Sequence, residues 1–155
     1  RQVAELPKPV FTTISLTQIV ESALNFLKPK KKKNQIKIIN SLENQVIFAD
    51  QKMIERCLMN LYLNAIYAVA DNSEKIIKTE IKTFNKRILL SVEDNGIGIS
   101  NEIKDKIFLP FFTTRISGSG IGLTLSKSII EAHKGYLNYK PLEKGSRFEV
   151  WFVEQ

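Results

Sequence analysis

Periodicity along this 155-residue chain predicts a mixed α/β protein. Runs of β-branched and aliphatic residues recur as strands between segments with helical spacing. One long segment, 51–70, is apolar on most sides, as a helix packed under a sheet would be. The stretch from Asp94 to Leu125, with D-N-G-I-G at its head and G-S-G-I-G-L near its end, is the part that the other elements are placed to hold.

Taken in order, residues 1–9 carry two prolines and little periodicity and read as a linker, so the folded domain is expected over 10–155. Residues 10–16 suggest a short edge strand. Residues 17–27 have helical spacing through Ile19, Val20, Ala23, Leu24 and Leu27, and Pro29 with its lysines is expected to end that helix. Segments 35–40 and 45–49 read as two strands joined by the polar turn S-L-E-N, with Asp50 placed to cap the helix that follows. That helix carries Asn60 and Asn64 four residues apart, hence on one face. Residues 75–83 and 87–92 form a predicted hairpin across F-N-K whose second strand delivers Asp94. One or two helical turns fit 101–107, a loop pinned by phenylalanines fits 108–120, and a helix fits 122–134 with Gly135 as its C-cap. Residues 136–140 and 146–153 close the chain as a hairpin around E-K-G.

Composition narrows the class. Hydrophobic content of 43% and charged content of 25% describe a globular chain and exclude disorder over most of its length. The net charge of +7 is partly local to Lys28 and Lys30–Lys33, a run without interleaved aromatics that reads as a solvated loop, so no nucleic-acid partner is expected. Cys57 is a lone cysteine in an apolar segment, expected to be core and in a reducing compartment. No apolar run approaches the ~20 residues of a membrane span, so this domain is not expected to touch a membrane directly.

The chemistry sits in three places. Asp94, at the end of a strand, can accept a hydrogen bond from an exocyclic amine, with Gly96 and Gly98 leaving room for a flat ring; the same residues are equally the makings of an ordinary D-N-G turn. Gly118, Gly120 and Gly122 precede a helix, whose free N–H groups favour anions; a flexible loop before a helix has the same look. Asn60 and Asn64 either bond neighbouring backbone or water, or Asn64 offers its carbonyl oxygen to a hard cation. The glycine spacing is G-x-G-x-G with no G-K-[ST] after it, which argues against dinucleotide-binding and P-loop folds.

The four stretches N-L-Y-L-N-A (60–65), D-N-G-I-G (94–98), F-L-P-F-F-T-T (108–114) and G-S-G-I-G-L (118–123) resemble, in order and spacing, the N, G1, F and G2 boxes of sensor histidine kinases. The wording N-A-I-Y-A-V, P-F-F-T-T-R and E-A-H-K-G most resembles the nitrogen-regulation and dicarboxylate-sensing branch. This resemblance implies the catalytic, ATP-binding domain of the GHKL superfamily. The expected architecture is an α/β two-layer sandwich, a mixed, mostly antiparallel sheet of about five strands covered on one face by three helices.

The same resemblance implies the site. Asp94 would bond the adenine amine, helped through water by Ser146, with Gly96, Gly98 and Ile99 lining the base pocket. Asn64 would ligate Mg²⁺ with Asn60 beside it, and Gly118, Gly120, Gly122 and Leu123 would present backbone to the phosphates of ATP. Arg115 would meet the γ-phosphate from a lid that includes Phe112 and Thr114 and is held by Phe108 and Phe112. Tyr67 and Ala68 depart from the basic and aromatic residues many kinases carry there. Asn60 stands where hydrolysing relatives carry a glutamate that activates water, which favours transfer to a protein over hydrolysis.

His133 follows the G2 helix instead of heading a dimerisation helix, so it reads as structural. The implied activity is histidine kinase, in a cytoplasmic domain of a parent whose membrane status the sequence leaves open. The implied partners are the phosphoacceptor dimerisation domain of the same protein and a response regulator receiver domain. The alternatives are an ATP hydrolase, a serine-directed kinase, expected to lack the P-F-F-T-T lid, and a non-enzymatic nucleotide-sensing or docking module, which Tyr67 and Ala68 favour.

Overall fold

The structure, a computed structural model, describes residues 6–110, 112 and 122–153. Strands β1 (Thr12–Ser15) and β3 (Val46–Ala49) pair antiparallel as a small sheet. The main sheet contains β2 (Ile36–Leu42), β4 (Lys75–Phe84), β5 (Arg87–Asp94), β7 (Ser146–Val153) and β6 (Tyr136–Pro141), in that spatial order. Only β2 and β4 run parallel, and the chain between them crosses over through β3 and helix α3 (Gln51–Ala68), as a parallel pair requires.

Helices α1 (Leu16–Phe26), α3 and α4 (Gly122–Ala132) bury their apolar stripes with one face of this sheet in a single core. α1 contributes Leu16, Ile19, Val20 and Ala23, the spacing of one helical face, and Ser15 caps it by accepting from the Gln18 N–H at 3.1 Å. α3 starts as expected on Asp50, whose carboxylate accepts from the Met53 N–H. β4 alternates buried Ile77, Thr79 and Ile81 with Lys78, Glu80 and Lys82 on the far face. Within the core, the Tyr62 and Thr79 hydroxyls bond one another, and burial pushes the Cys57 thiol up to about 12, an inert core cysteine. The five-stranded mixed sheet and its three covering helices agree with the fold the family resemblance implied.

Three local expectations are corrected. Segments 35–40 and 45–49 are strands, but they belong to different sheets. The lysine run is helical: α2 (Lys28–Asn34) has Pro29 in its first turn, where no N–H is needed, and buries no residue. At the end of α4 the left-handed residue is Lys134, with φ of 61°, not Gly135. Gly135 is required for a different reason, since a Cβ there would stand 2.2 Å from the Trp151 carbonyl oxygen.

Candidate functional site

The inner face of the sheet ends in a pair of facing residues: Asp94 closes β5 directly opposite Ser146, the first residue of β7. Asp94 is only 5% exposed. Its Oδ1 accepts from the Gly96 N–H at 2.8 Å. Burial pushes its carboxyl up to about 6, while N–H groups of Gly96 and Ser146 pull the other way and the neighbouring Glu93 charge adds to the rise. A carboxylate so placed has spare lone pairs and little water, the condition in which an incoming amine is a favoured partner.

The turn after Asp94 is fastened from two sides. Asn95 accepts from the Ile76 N–H at 3.0 Å and donates to the Glu74 carbonyl at 3.0 Å, and Asn72 donates to the Asn95 carbonyl at 2.7 Å. Ile97 donates its N–H to the Ala68 carbonyl at the end of α3, and a Cβ on Gly96 would lie 2.3 Å from that same oxygen. Glycine at 96 is therefore demanded by helix packing. Gly98 has φ of 71° and Gly145 φ of 100°, and a Cβ on Gly145 would stand 1.9 Å from the Asp94 carbonyl oxygen.

These residues form one end of an open cleft of about 790 Å³, counting space open to solvent. Asn64, Asp94, Gly98, Ile99, Phe112, Gly122, Leu123 and Ser146, all expected from the sequence, share its lining. Asn64 makes no side-chain hydrogen bond among the described residues, which leaves its amide oxygen open to a ligand. α4 turns its first described residues, Gly122 and Leu123, to the cleft. Nearby, the Thr124 hydroxyl donates to the Phe108 carbonyl at 2.8 Å, and the Phe108 ring meets Phe148 edge-on at 6.5 Å. Phe108 is anchored to the body of the fold.

Two expected residues stand off the lining. Gly96 packs against α3 and reaches the site only through its N–H. Asn60 donates to the Gly122 carbonyl at 3.2 Å and the Ser126 hydroxyl at 3.3 Å, tying α3 to the start of α4. Thr114, Arg115, Gly118 and Gly120 lie outside the described residues, as does most of the expected lid. Sequence reasoning missed Ile97, Ile103, Ile107 and Phe148, which make the walls apolar, and Gly145, which packs on the Asp94 backbone and whose only signal was its turn.

His133 is structural, as read. Only 2% exposed, it accepts the Asp50 N–H at Nε2 and lies 2.7 Å from the Ile129 carbonyl through Nδ1. A backbone N–H can only donate, so the proton sits on Nδ1.

Residues 49–155 match the model of the histidine kinase-, DNA gyrase B- and HSP90-like ATPase family. The chain is 33% identical over 157 residues to the sensor histidine kinase ZraS of Salmonella typhimurium, which covers 97% of this chain and 33% of ZraS. It thus spans about a third of that relative's length. It superposes with a TM-score of 0.86 at 30% identity on the nucleotide-free catalytic domain of histidine kinase ThkA, over 94% of this chain and 96% of that one. ThkA solved in complex with the response regulator protein TrrA gives 0.82 at 29% identity, over 95% of this chain and 42% of that one.

Proposed function

Because the chain belongs to the histidine kinase-, DNA gyrase B- and HSP90-like ATPase family, we propose that its cleft binds Mg·ATP and presents the γ-phosphate to a histidine on a dimerisation segment beyond this chain. The observation that carries this is the convergence of Asp94, Asn64 and the first turn of α4 on one cleft. Asp94 accepts the adenine amine, with Ser146 beside it, and Ile99, Ile103 and Phe148 cover the ring. Gly122 and Leu123 offer N–H groups to the phosphates, as the start of a helix does for anions.

The donor set fits a magnesium ion shared with phosphates. No cluster of three metal-binding side chains occurs among the described residues, but Mg²⁺ commonly takes one or two protein oxygens and draws the rest from phosphate and water. Asn64 would hold it, and the ion would supply charge neutralisation at the phosphates. The protein's own part is orientation. Asn60 acts from behind, fixing α4 relative to α3, and has no carboxylate with which to activate water.

Arg115 and Thr114 extend this reading to the phosphate side, and Gly118 and Gly120 to the loop before α4. In the transfer, the γ-phosphorus leaves the bridging oxygen of ADP and bonds to a nitrogen of the acceptor imidazole. The neighbour solved with a response regulator supports a receiver domain as the next partner. The domain is read as cytoplasmic; no described helix is long and apolar enough to cross a membrane.

Titrating Mg·ATP into the wild type and the Asp94→Asn variant tests the binding. Saturable binding that the substitution weakens is expected, and binding indifferent to it ends the proposal. Tyr67 and Ala68 on the cleft lining favour one second reading, a nucleotide-sensing module without transfer. Mixing the chain with Mg·ATP and a cognate dimerisation segment separates the two, since a sensing module leaves the histidine unlabelled.

A further inference from the structure

The far face of the sheet, turned away from the cleft, carries a charge cluster centred on Arg147. Its Nε donates to Glu149 at 2.9 Å, and its Nη1 lies 3.3 Å from Glu80 and 3.4 Å from Glu93. Lys82 and Lys78 complete it, 3.2 Å from Glu80 and 4.0 Å from Glu93. The cluster is drier than a surface ion pair, with the Arg147 side chain 21% and that of Glu149 8% exposed. Burial penalises the guanidinium's charge, yet Glu149, Glu93 and Glu80 together raise its pKa above the ordinary value.

Its register connects this cluster to the cleft. Glu93 faces Arg147 across β5 and β7, and one residue along, on the opposite side of the same two strands, Asp94 faces Ser146. We infer that Arg147 is a positioning residue for nucleotide recognition: braced by Glu149 on its own strand and bonded to Glu93 across the β5–β7 pair, it keeps Ser146 against Asp94 and offsets the negative charge beside that carboxylate. This rests on the reading of Asp94 as the group that takes the base.

The surroundings of Asp94 leave Glu93 as the charge that matters. Asp94 is the one charged residue on the described lining, and Tyr67 the one other ionisable group there. Its register partners are Ile77 on β4 and Ser146 on β7, and the cleft it lines is otherwise bordered by uncharged groups, Phe148 from β7, Asn64 and Ala68 from α3, and Gly122 and Leu123 from α4. Among the described residues, neither Lys75 at the start of β4 nor Lys144 in the turn before β7 makes an ion pair with Asp94. Glu93 adds to the rise in the Asp94 pKa even with Arg147 in place. Without the guanidinium, Glu93 keeps only Lys78, at 4.0 Å and half exposed.

The test is the affinity for Mg·ATP measured by calorimetry between pH 5 and 8 for wild type, Arg147→Gln, Arg147→Lys, Glu93→Gln and the double variant Arg147→Gln with Glu93→Gln. Arg147→Gln is expected to move the midpoint of the pH dependence up by about half a unit to one unit, the size of effect one unpaired neighbouring charge produces at a half-screened site. Arg147→Lys should stay near wild type, Glu93→Gln alone should move the midpoint down, and the double variant should return to it.

A loss equal at every pH and not rescued by Glu93→Gln would mean that Arg147 only holds the sheet together, and would overturn the inference, as would an unmoved midpoint in Glu93→Gln. Thermal unfolding of each variant separates lost folding from lost affinity, and the Glu93→Gln arm leaves Arg147 paired to Glu80 and Glu149. Full affinity in Asp94→Asn would instead sink the reading of Asp94 on which the inference stands.

Discussion

Replacing Asp94 by asparagine should make the folded chain gain stability relative to wild type as pH rises while weakening base recognition. Burial holds the carboxyl at about 6 in the folded state against an ordinary 3.8. Between those values the folded state binds more protons than the unfolded one, so stability is fully present below about 3.8 and falls as pH rises through about 6. A difference of about 2 units corresponds to roughly 3 kcal/mol, the upper limit of what an ionised Asp94 costs at pH 7.5. Asparagine never ionises, so it escapes that cost. Its amide, however, puts an NH₂ where the carboxyl has a second oxygen, leaving one acceptor for the Gly96 and Ser146 N–H groups, at a cost on the order of 1–2 kcal/mol at any pH. Urea unfolding of both proteins at pH 4, 5, 6, 7 and 8 separates the two effects. The stability of the variant relative to wild type should rise by about 2–3 kcal/mol from pH 4 to pH 8, beginning from a deficit of about 1–2 kcal/mol and crossing to parity or a small gain. A difference that stays flat across this range would refute the argument that burial is what perturbs this group.

Three further outcomes follow from the same geometry. Gly96→Ala places a Cβ 2.3 Å from the Ala68 carbonyl oxygen, which must shift, and should cost on the order of 2–4 kcal/mol in urea unfolding; a loss below about 0.5 kcal/mol would show that the turn yields easily. His133→Ala strands the Asp50 N–H and empties a buried ring site, so it should lower stability by roughly 2–4 kcal/mol and leave nucleotide affinity unchanged in calorimetry. Asn64→Asp should change the metal dependence of ATP binding more than it changes selectivity for adenine, and equal losses for ATP and for a metal-free adenine analogue would contradict the role given to its oxygen.

Local patterning disclosed most elements of this fold because burial is one-sided in β4 and α1, and one-sided burial prints its period directly on the sequence. Pairing was less legible. Residues 35–40 and 45–49 both carry strand-like runs, and nothing in either states that one lies beside β4 and the other beside β1, since that depends on where α3 returns the chain. The lysine helix was missed because its residues bury nothing, so no apolar stripe marks it. At the site, spacing placed Asn60 and Asn64 on one face, but four residues advance an α-helix by about 40° beyond a full turn, so the two amides do not point alike. That offset aims Asn60 at α4 and Asn64 at the cleft. Glycine is ambiguous in a different way: the sequence shows that a side chain is missing at 96 without showing whether a ligand or a helix end takes its place.

The cleft groups share one property that the core groups lack. Tyr62, His133 and Asn95 each bond a fixed partner within the chain, whereas Asp94 is buried with its charge disfavoured and Asn64 has no side-chain bond among the described residues. Asp94 keeps lone pairs beyond the one that takes the Gly96 N–H, and Asn64 keeps its whole amide, so both can bond whatever enters. Binding should therefore stabilise the fold by RT ln(1 + [L]/Kd), with the bonds to these two groups expressed in Kd. An adenine nucleoside, which reaches Asp94 and not Asn64, should recover the Asp94 share alone, and that share should vanish in Asp94→Asn while the contribution of a metal-bound triphosphate through Asn64 persists.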